Sequence, residues 1–306
     1  MSDPAIEARS LAKRFGARDV LHDVSFTVPK GKTFAFLGRN GAGKTTTIRT
    51  MLGLLKPDAG QVRIMGLDPR RDAMEVRRRV GYLAEDQAMF GWMKGSELTR
   101  FLRPFYPTWD DGLARYLAGA FELPMETRVR NLSKGESRRL GLLLALVHRP
   151  GVAILDDPTL GLDPIMRKEF LRDVVEHLQG SGVTVFFSSH LLYEVEPVAD
   201  EVAILDGGRI IRQASTETLR AGVKQLLLPA EAADELPKLP GVLDVRKGDH
   251  ATAVIVEAAE DALRVLGEAG IHPQVVDLNL DEIFEAYVAG RRHGISDRQP
   301  VVERVA

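Results

Sequence analysis

A glycine-rich segment, Gly38–Thr45, has the composition and spacing needed to bind nucleotide phosphates. It matches the pattern G-x-x-x-x-G-K-[ST], whose glycines let backbone amides turn inward around phosphate oxygens. Lys44 is placed to reach the β- and γ-phosphates, and the hydroxyl of Thr45 is placed to bind magnesium. The alternative is a plain glycine-rich turn, but a strand before the segment and a helix after it favour phosphate binding. The predicted nucleotide-binding residues here are Gly38, Asn40, Gly41, Ala42, Gly43, Lys44, Thr45 and Thr46.

Two consecutive carboxylates, Asp156 and Asp157, follow the apolar run Val152–Leu155. A carboxylate at the end of a buried strand beside a phosphate-binding loop is suited to hold Mg²⁺, and we assign Asp156 to this role. Asp157 can then orient or deprotonate an attacking water. Taken alone, the pair could equally be two solvated acids. The phosphate-binding segment upstream favours the catalytic interpretation.

The sequence Ser133-x-x-Glu136 is a capping box that begins a helix running toward Val147. A capped helix start is also a site that attracts anions, because its free amides and the helix dipole point there. By itself, a simple helix cap is the better interpretation.

Over about the first 220 residues, short β-branched or aromatic runs alternate with helical patterns. This alternation predicts an α/β fold with a partly parallel sheet, whose strands and helices must position the residues above. Between about residues 86 and 150 apolar residues recur at helical spacing without a convincing strand, so we expect a helical insert. Within it, Phe105–Trp109 is expected to pack in the core, with a role in contacting a partner as the alternative. The predicted strands are Thr33–Leu37, Val152–Leu155 and Val183–Phe187, and the predicted helices are Lys44–Leu55 and Ile165–Leu178.

Past about residue 222 the pattern changes to β-α-β-β-α-β, an order typical of a small α+β, ferredoxin-like domain. Its predicted elements are Leu226–Leu228, Ala232–Leu239, Val242–Val245, Thr252–Val256, Glu260–Ala269 and Gln274–Leu278, and one more amphipathic helix follows. From Arg291 the chain is polar and aperiodic, so we predict disorder there. The predicted divisions are therefore residues 1–220, 221–290 and a tail of 291–306.

Composition excludes several classes of function. Among 306 residues, 41 Lys and Arg nearly balance 43 Asp and Glu, which argues against a protein that coats nucleic acid. Cysteine is absent, so disulfide scaffolds and cysteine-ligated metal sites are excluded. The longest apolar run, Leu140–Val147, is far shorter than a bilayer requires, and residues 1–16 do not read as a secretory signal. Work at a membrane would need another chain as the anchor.

In their order along the chain, the motifs resemble those of ATP-binding cassette (ABC) proteins over about residues 5–220. Leu132–Glu136 resembles the family's signature sequence, Pro158–Asp163 its D-loop, and Ser189-His190 its switch histidine. Phe15 resembles the aromatic residue that stacks on adenine, although its type fits a core position equally well. The C-terminal part, with Leu280–Phe284 near its end, resembles the extra domain of cassettes that serve drug- and ion-exporting type-two ABC permeases.

The resemblance implies a P-loop NTPase fold of the ABC cassette type that binds ATP and Mg²⁺ and hydrolyses the ATP. It implies a head-to-tail dimer, homomeric or with a related cassette, in which Ser133 and Gly135 contact the γ-phosphate held by the opposite subunit. It further implies a polytopic membrane permease as partner, no nucleic acid, and a cytoplasmic location on the inner face of the membrane through that permease. The implied catalytic residues are Asp157, His190 and Glu85; the metal ligands are Thr45, Asp156 and Glu85; and the further nucleotide contacts are Phe15, Ser133, Gly135, Glu136 and Asp163.

Three positions depart from the family pattern. Asp157 stands where the family usually has Glu, so its carboxylate is withdrawn by about 1.5 Å. A misplacement of ~1 Å can cost on the order of a hundredfold in rate, which predicts slow hydrolysis. Glu85 replaces the usual Gln of the Q-loop, and Lys134 replaces a signature glycine. Lys134 either favours a bound phosphate or is a solvated surface residue.

Two other functions remain open at this point. One is a soluble ABC ATPase that acts on DNA or the ribosome, although the helical insert is too short for the long coiled coil of the DNA-repair members and the chain has a single phosphate-binding motif. The other is a regulator that binds nucleotide with weak or no turnover, for which Asp157 is the motivating residue. His190, outside the family context, would also fit as an ordinary histidine at the end of a strand.

Overall fold

A computed structural model describes residues 3–160, 162–163, 166–168, 170–171, 178, 180, 182–189, 195–229, 237–248, 251–292 and 301–302. Its strands are β1 Ile6–Phe15, β2 Arg18–Val28, β3 Thr33–Gly38, β4 Ala59–Ile64, β5 Val80–Leu83, β6 Val152–Asp156, β7 Thr184–Ser189, β8 Glu201–Asp206, β9 Arg209–Ser215, β10 Lys224–Pro229, β11 Val242–Lys247, β12 Ala251–Val256, β13 Gln274–Asp277 and β14 Val301–Val302. The helices are α1 Lys44–Met51, α2 Ala73–Arg79, α3 Gly95–Leu102, α4 Asp111–Ala120, α5 Lys134–Leu146, α6 Thr216–Gly222, α7 Ala259–Glu268 and α8 Leu280–Arg292. Short 3₁₀ turns lie at Arg103–Phe105 and Val129–Asn131.

The central sheet has the strand order β14-β9-β8-β3-β7-β6-β5. Strands β8, β3, β7, β6 and β5 run parallel, and β9 joins them antiparallel to β8. Every residue of β3, β6 and β7 is buried, as expected for strands covered on both faces. The predicted α/β class and the three predicted strands are confirmed.

A separate antiparallel sheet, in the order β2-β1-β4, covers one face of the central sheet. Phe26 of β2 packs against both Phe34 of β3 and Phe186 of β7, with its ring centroid 5.9 Å from each. This contact fixes the β1–β2 hairpin against the strand that precedes the phosphate-binding segment. The periodicity of the sequence did not indicate this second sheet.

The predicted helix Lys44–Leu55 is too long, because α1 ends at Met51. Gly53 adopts a φ of +67°, the left-handed conformation that closes helices, and a Cβ there would lie 2.4 Å from the carbonyl oxygen of Pro69. The predicted helix Ile165–Leu178 lies largely outside the described residues.

The stretch from residue 86 to residue 150 contains α3, α4 and α5 and no strand, which confirms the helical insert. The prediction that Phe105 packs in the core is wrong, since its side chain is 58% exposed and touches the ring of Phe101 at a centroid distance of 5.8 Å. Arg103 and Pro104 place Phe105 at the end of a short 3₁₀ turn, where the chain leaves α3 on the surface.

The C-terminal part forms an antiparallel sheet in the order β11-β12-β10-β13, with α7 packed against it. This order confirms the ferredoxin-like arrangement. The predicted helix Ala232–Leu239 is described only at residues 237–239, which are not helical. In the predicted tail, α8 extends to Arg292 and Val301–Val302 pair with β9, while the rest lies outside the described residues.

The last helix joins the two parts of the chain. Ile283, Phe284 and Tyr287 of α8 belong to the same buried cluster as Leu219 of α6 and Leu243 of β11. None of the helices that the structure describes is both long and apolar enough to cross a bilayer.

Candidate nucleotide-binding site

The phosphate-binding segment lies between a buried strand and a helix. Strand β3 ends at Gly38, and α1 begins at Lys44. The side chain of Lys44 is buried, and its Nζ donates a hydrogen bond of 2.8 Å to the carbonyl oxygen of Gly38. Burial lowers the pKa of Lys44, while the carboxylates of Asp157, Asp156 and Glu85 act in the opposite direction. The ammonium group is therefore held within the loop, where the predicted contact with phosphates requires it.

Two glycines of the loop adopt conformations that other residues rarely take. The φ of Gly41 is +80° and that of Gly43 is +114°, and a Cβ on Gly43 would lie 2.7 Å from Cδ2 of Leu21. Gly43 also provides no side-chain cap, and no acidic residue lies in the first turn of α1. The first amides of α1 thus face the loop with the positive end of the helix dipole, an arrangement that suits an anion.

A cavity of about 500 Å³ opens over this loop. The structure brings most of the predicted nucleotide contacts of a single chain to its walls. They are Phe15, Asn40, Gly41, Gly43, Lys44, Thr45, Thr46, Glu85 and Asp157, with Arg18 and Val20 as two further residues. Phe15 is 49% exposed, and the ammonium of Lys13 lies 5.4 Å from its ring centroid, so the ring is only partly covered.

A second cavity, of about 650 Å³, lies between α6 and the C-terminal part. Four of its charged side chains form two ion pairs: Lys32 with Asp200 at 3.4 Å and Lys224 with Asp277 at 2.7 Å. Because these charges are already neutralised and the phosphate-binding loop lies elsewhere, we place the nucleotide in the smaller cavity.

The two aspartates at the end of β6 share one serine, Asp156 through its carboxylate and Asp157 through its backbone N–H. Asp156 and Ser188 are opposite each other on β6 and β7, and the Ser188 hydroxyl donates to Oδ1 of Asp156 at 2.7 Å. The same hydroxyl accepts the backbone N–H of Asp157 at 3.0 Å. Asp157 adopts a φ of +44°, so the chain turns sharply just after the strand. Sequence reasoning missed Ser188, since nothing in the sequence reveals the register between two parallel strands.

Oδ2 of Asp156 is buried and has no hydrogen-bond partner among the described residues. Burial raises the pKa of this carboxyl, and the nearby charges of Glu85 and Asp157 raise it further, against the hydrogen bond from Ser188. An unpartnered buried carboxylate oxygen is costly unless a cation binds it. The hydroxyl of Thr45 lies 3.5 Å from Oε2 of Glu85. These two oxygens are further candidate ligands for a cation.

These oxygen atoms fit Mg²⁺, a hard cation that takes oxygen ligands. In proteins it is usually held by one or two carboxylates together with substrate phosphates and water. The described residues contain no group of three or more Asp, Glu, His or Cys arranged to hold a metal by themselves. The chain thus offers part of a magnesium shell that phosphate oxygens would complete.

Arg138 of α5 is a second residue that sequence reasoning missed. Its side chain is buried, and its guanidinium donates to the carbonyl oxygens of Ala84, just before Glu85, and of Asp157, the latter at 3.0 Å. Burial lowers the pKa of Arg138, opposed by the negative charges of Asp157 and Glu85. This arginine ties α5 to the backbone beside both predicted catalytic carboxylates, Glu85 and Asp157. The signal that could have indicated Arg138 is a charged residue among the apolar residues on the buried side of α5.

The capping box at the start of α5 is confirmed. The hydroxyl of Ser133 accepts the amide of Glu136 at 3.2 Å, and Oε2 of Glu136 accepts the amide of Ser133 at 2.7 Å, which lowers the pKa of that carboxyl. Ser133 and Lys134 are exposed and line another cavity with Glu85 and Arg138; no residue of the phosphate-binding loop is among its lining residues.

The other predicted contacts also lie outside the single-chain cavity. Gly135 lies beside Leu162, where an added Cβ would come 3.5 Å from Cδ2 of that leucine. Oδ1 of Asp163 accepts the amide of Met166 at 3.0 Å. Neither residue lines the cavity over the phosphate-binding loop. His190 lies outside the described residues.

Comparisons with known proteins agree with this geometry. The family model for ABC transporters matches residues 21–160. The daunorubicin resistance ATP-binding protein DrrA3 of Streptomyces coeruleorubidus is 35% identical over 303 residues, which cover 93% of this chain and 96% of that protein. The bacitracin transport ATP-binding protein BcrA of Bacillus licheniformis is 34% identical over 217 residues, or 70% of this chain and 71% of that protein.

Solved structures show the same fold. The ATP-binding subunit of an ABC transporter aligns with a TM-score of 0.65 at 27% identity, covering 71% of this chain and 92% of that one. The cassette MJ0796, solved as a dimer in a post-hydrolysis state bound to ADP and Pi, aligns with a TM-score of 0.62 at 20% identity, covering 69% of this chain and 98% of that one.

Proposed function

Because this chain belongs to the ABC transporter family as an ATP-binding subunit, we propose that it hydrolyses ATP within a head-to-tail cassette dimer and so drives export through a separate membrane permease. One observation carries the proposal. The phosphate-binding loop, Glu85 and Asp157 line one cavity, and a hydrogen bond through Ser188 ties Asp157 to the buried Asp156.

The side chains divide the chemistry between them. Lys44 and the amides at the start of α1 bind the phosphates and stabilise the negative charge that develops on them. Thr45, Glu85 and Asp156 would hold Mg²⁺, which neutralises phosphate charge when bound. Asp157 orients the attacking water and accepts its proton. Lys44→Ala is the basic test: we expect ATP-dependent phosphate release to disappear, and release that persists would contradict the assignment.

Slow turnover is the finer part of this proposal. The carboxylate of Asp157 is withdrawn by about one bond length relative to Glu. Its main chain is held by Arg138 and Ser188, so the backbone has little freedom to move the carboxylate forward. We therefore expect Asp157→Glu to hydrolyse ATP faster, by up to about a hundredfold. Asp157→Asn is the matched control and is expected to bind ATP without turnover.

If Asp157→Glu is no faster than the wild type, Asp157 does not limit the rate. If the wild-type protein binds ATP but neither it nor Asp157→Glu releases phosphate, the chain is the nucleotide-binding regulator that the sequence also allows.

The exposure of Ser133 supports the proposed head-to-tail dimer. Ser133 is exposed at the start of α5 and does not line the cavity over its own phosphate-binding loop, so its anion-binding end is open to another subunit. The solved cassette MJ0796, whose fold matches, is itself a dimer. We expect the non-hydrolysing Asp157→Asn protein to dimerise when ATP is added, as measured by light scattering. Adding Ser133→Ala should abolish that dimer while leaving ATP bound to the monomer. A dimer unaffected by ATP and by Ser133→Ala would exclude the head-to-tail arrangement.

The cargo class comes from the relatives. One is a daunorubicin resistance protein and another a bacitracin transport protein, so we propose that the permease exports a drug or antibiotic. The chain would lie on the inner face of the membrane, bound to that permease. Co-purification with a polytopic protein encoded beside it, followed by ATPase assay with and without candidate drugs, tests the assignment. An ATPase that never associates with a membrane protein would instead support a soluble ABC ATPase.

A further inference from the structure

The hairpin between β1 and β2 places a cation beside the phosphate-binding loop. Arg18 is the first residue of β2 and pairs across the hairpin with Phe15, and both side chains line the cavity over the loop. One terminal nitrogen of the Arg18 guanidinium lies 3.6 Å from the point where a Cβ on Gly41 would stand. The guanidinium is thus in van der Waals reach of the loop that holds phosphates.

The strand that carries Arg18 is packed against the loop. A Cβ on Gly43 would lie 2.7 Å from Cδ2 of Leu21 and 3.2 Å from the carbonyl oxygen of Val20. On its other side, the amide of His22 donates to the carbonyl oxygen of Gly208 at 2.8 Å. Because the residues after Arg18 are fixed against the loop, the position of its backbone relative to the phosphates is fixed too.

Among the residues that the structure describes, the neighbouring cations of the hairpin have acidic partners and Arg18 has none. Lys13 pairs with Asp58 at 3.0 Å. Arg14 occupies both carboxylate oxygens of Asp19, at 2.5 and 2.9 Å. Across the part of the chain that the structure describes, no carboxylate lies within ion-pair distance of Arg18. Its charge is therefore available to a ligand in the cavity.

We propose that Arg18 binds the nucleotide through the phosphate nearest the ribose, between the adenine side of the site at Phe15 and the loop at Gly41. This inference rests on the proposed function, because it concerns the same nucleotide. A guanidinium donates charge-assisted hydrogen bonds to phosphate oxygens in a fixed geometry. Lys44 acts at the β- and γ-phosphates, so Arg18 acts at the opposite end of the phosphate chain. Arg18 therefore increases affinity for ATP and ADP alike and leaves the hydrolytic step unchanged.

The test measures dissociation constants of Mg-ATP and Mg-ADP by isothermal titration calorimetry for the full-length wild type and for Arg18→Gln. The matched control is Arg9→Gln, which removes an exposed arginine from the same hairpin where it pairs with Glu7 away from the cavity. Loss of a charged hydrogen bond is expected to raise both constants about tenfold in Arg18→Gln. Arg18→Lys should recover part of the affinity that Arg18→Gln loses. At saturating ATP, kcat of both variants should differ from the wild-type value by less than twofold. Arg9→Gln should bind both nucleotides as the wild type does.

Unchanged constants in Arg18→Gln, or a loss confined to ATP, would overturn the assignment. So would an equal loss in Arg9→Gln, because the effect would then be one of general surface charge. Circular dichroism confirms that each variant is folded. If the wild type itself binds no nucleotide, the proposed function fails instead, and the two failures are thereby distinguished.

Discussion

Replacing Ser188 by alanine removes one hydroxyl that makes two buried hydrogen bonds. The hydroxyl donates to Oδ1 of Asp156 at 2.7 Å and accepts the amide of Asp157 at 3.0 Å. Alanine fits the site because it is smaller, so no steric clash complicates the result. The substitution leaves a buried carboxylate oxygen and a buried N–H that have each lost this partner.

The expected cost follows from those two groups. A buried polar group that loses its partner costs about 1–3 kcal/mol, and more when it is charged, which gives about 2–6 kcal/mol for Ser188→Ala. A protein of this kind has about 5–15 kcal/mol of stability in total, so the change is measurable and does not necessarily unfold it. The end of β6 also loses the contact that fixes Asp156 and the turn at Asp157. We therefore expect kcat for ATP hydrolysis to fall by about ten- to a hundredfold.

Urea denaturation followed by circular dichroism measures the first effect, and phosphate release at saturating ATP measures the second. Ser215→Ala is the control, because Ser215 caps α6 through the amide of Thr218 at 3.0 Å, away from the nucleotide cavity. Loss of that cap should cost about 1 kcal/mol and leave kcat unchanged. If Ser188→Ala is no less stable than Ser215→Ala and turns over at the wild-type rate, the serine does not organise the carboxylates and this reasoning is wrong.

Three further results are expected. Gly43→Ala should weaken ATP binding by about tenfold or more, measured by calorimetry, because φ is +114° there and the new Cβ meets Leu21 at 2.7 Å. Gly81→Ala should lower the free energy of unfolding by about 1–3 kcal/mol in urea, because its Cβ would come 2.0 Å from the carbonyl oxygen of Ala145; wild-type stability would contradict the close approach of β5 and α5. Burial lowers the pKa of His148 below its ordinary value of 6.5, so the imidazole takes up a proton more readily in the unfolded chain and stability should fall as pH decreases below about 6.5. In His148→Gln that pH dependence should be smaller, and an identical dependence in both proteins would refute it.

Most of the fold was predictable because local patterns specify it. The near-continuous apolar runs of β3, β6 and β7 are typical of strands buried on both faces. The capping box at Ser133 pairs the free amides at a helix start with two side chains that are close in sequence. Prediction was less accurate where the conformation or exposure of a single residue sets the local structure. The positive φ of Gly53 ended α1 earlier than the apolar pattern indicated. Phe105 has a side chain typical of a core position but lies on the surface.

The sequence by itself determined which reactive groups come together, because the spacing of Gly38, Lys44 and Thr45 brings a cation, a hydroxyl and several amides into a single strand–loop–helix unit. Only the tertiary structure decided what surrounds that unit. Asp156 meets Ser188 from 32 residues away, and Arg138 reaches the carbonyl of Asp157 across the packing of α5. Arg18 reaches the loop because Phe26 anchors its hairpin against β3. Strand register and the packing of layers depend on contacts between distant parts of the chain, and local spacing carries no information about them.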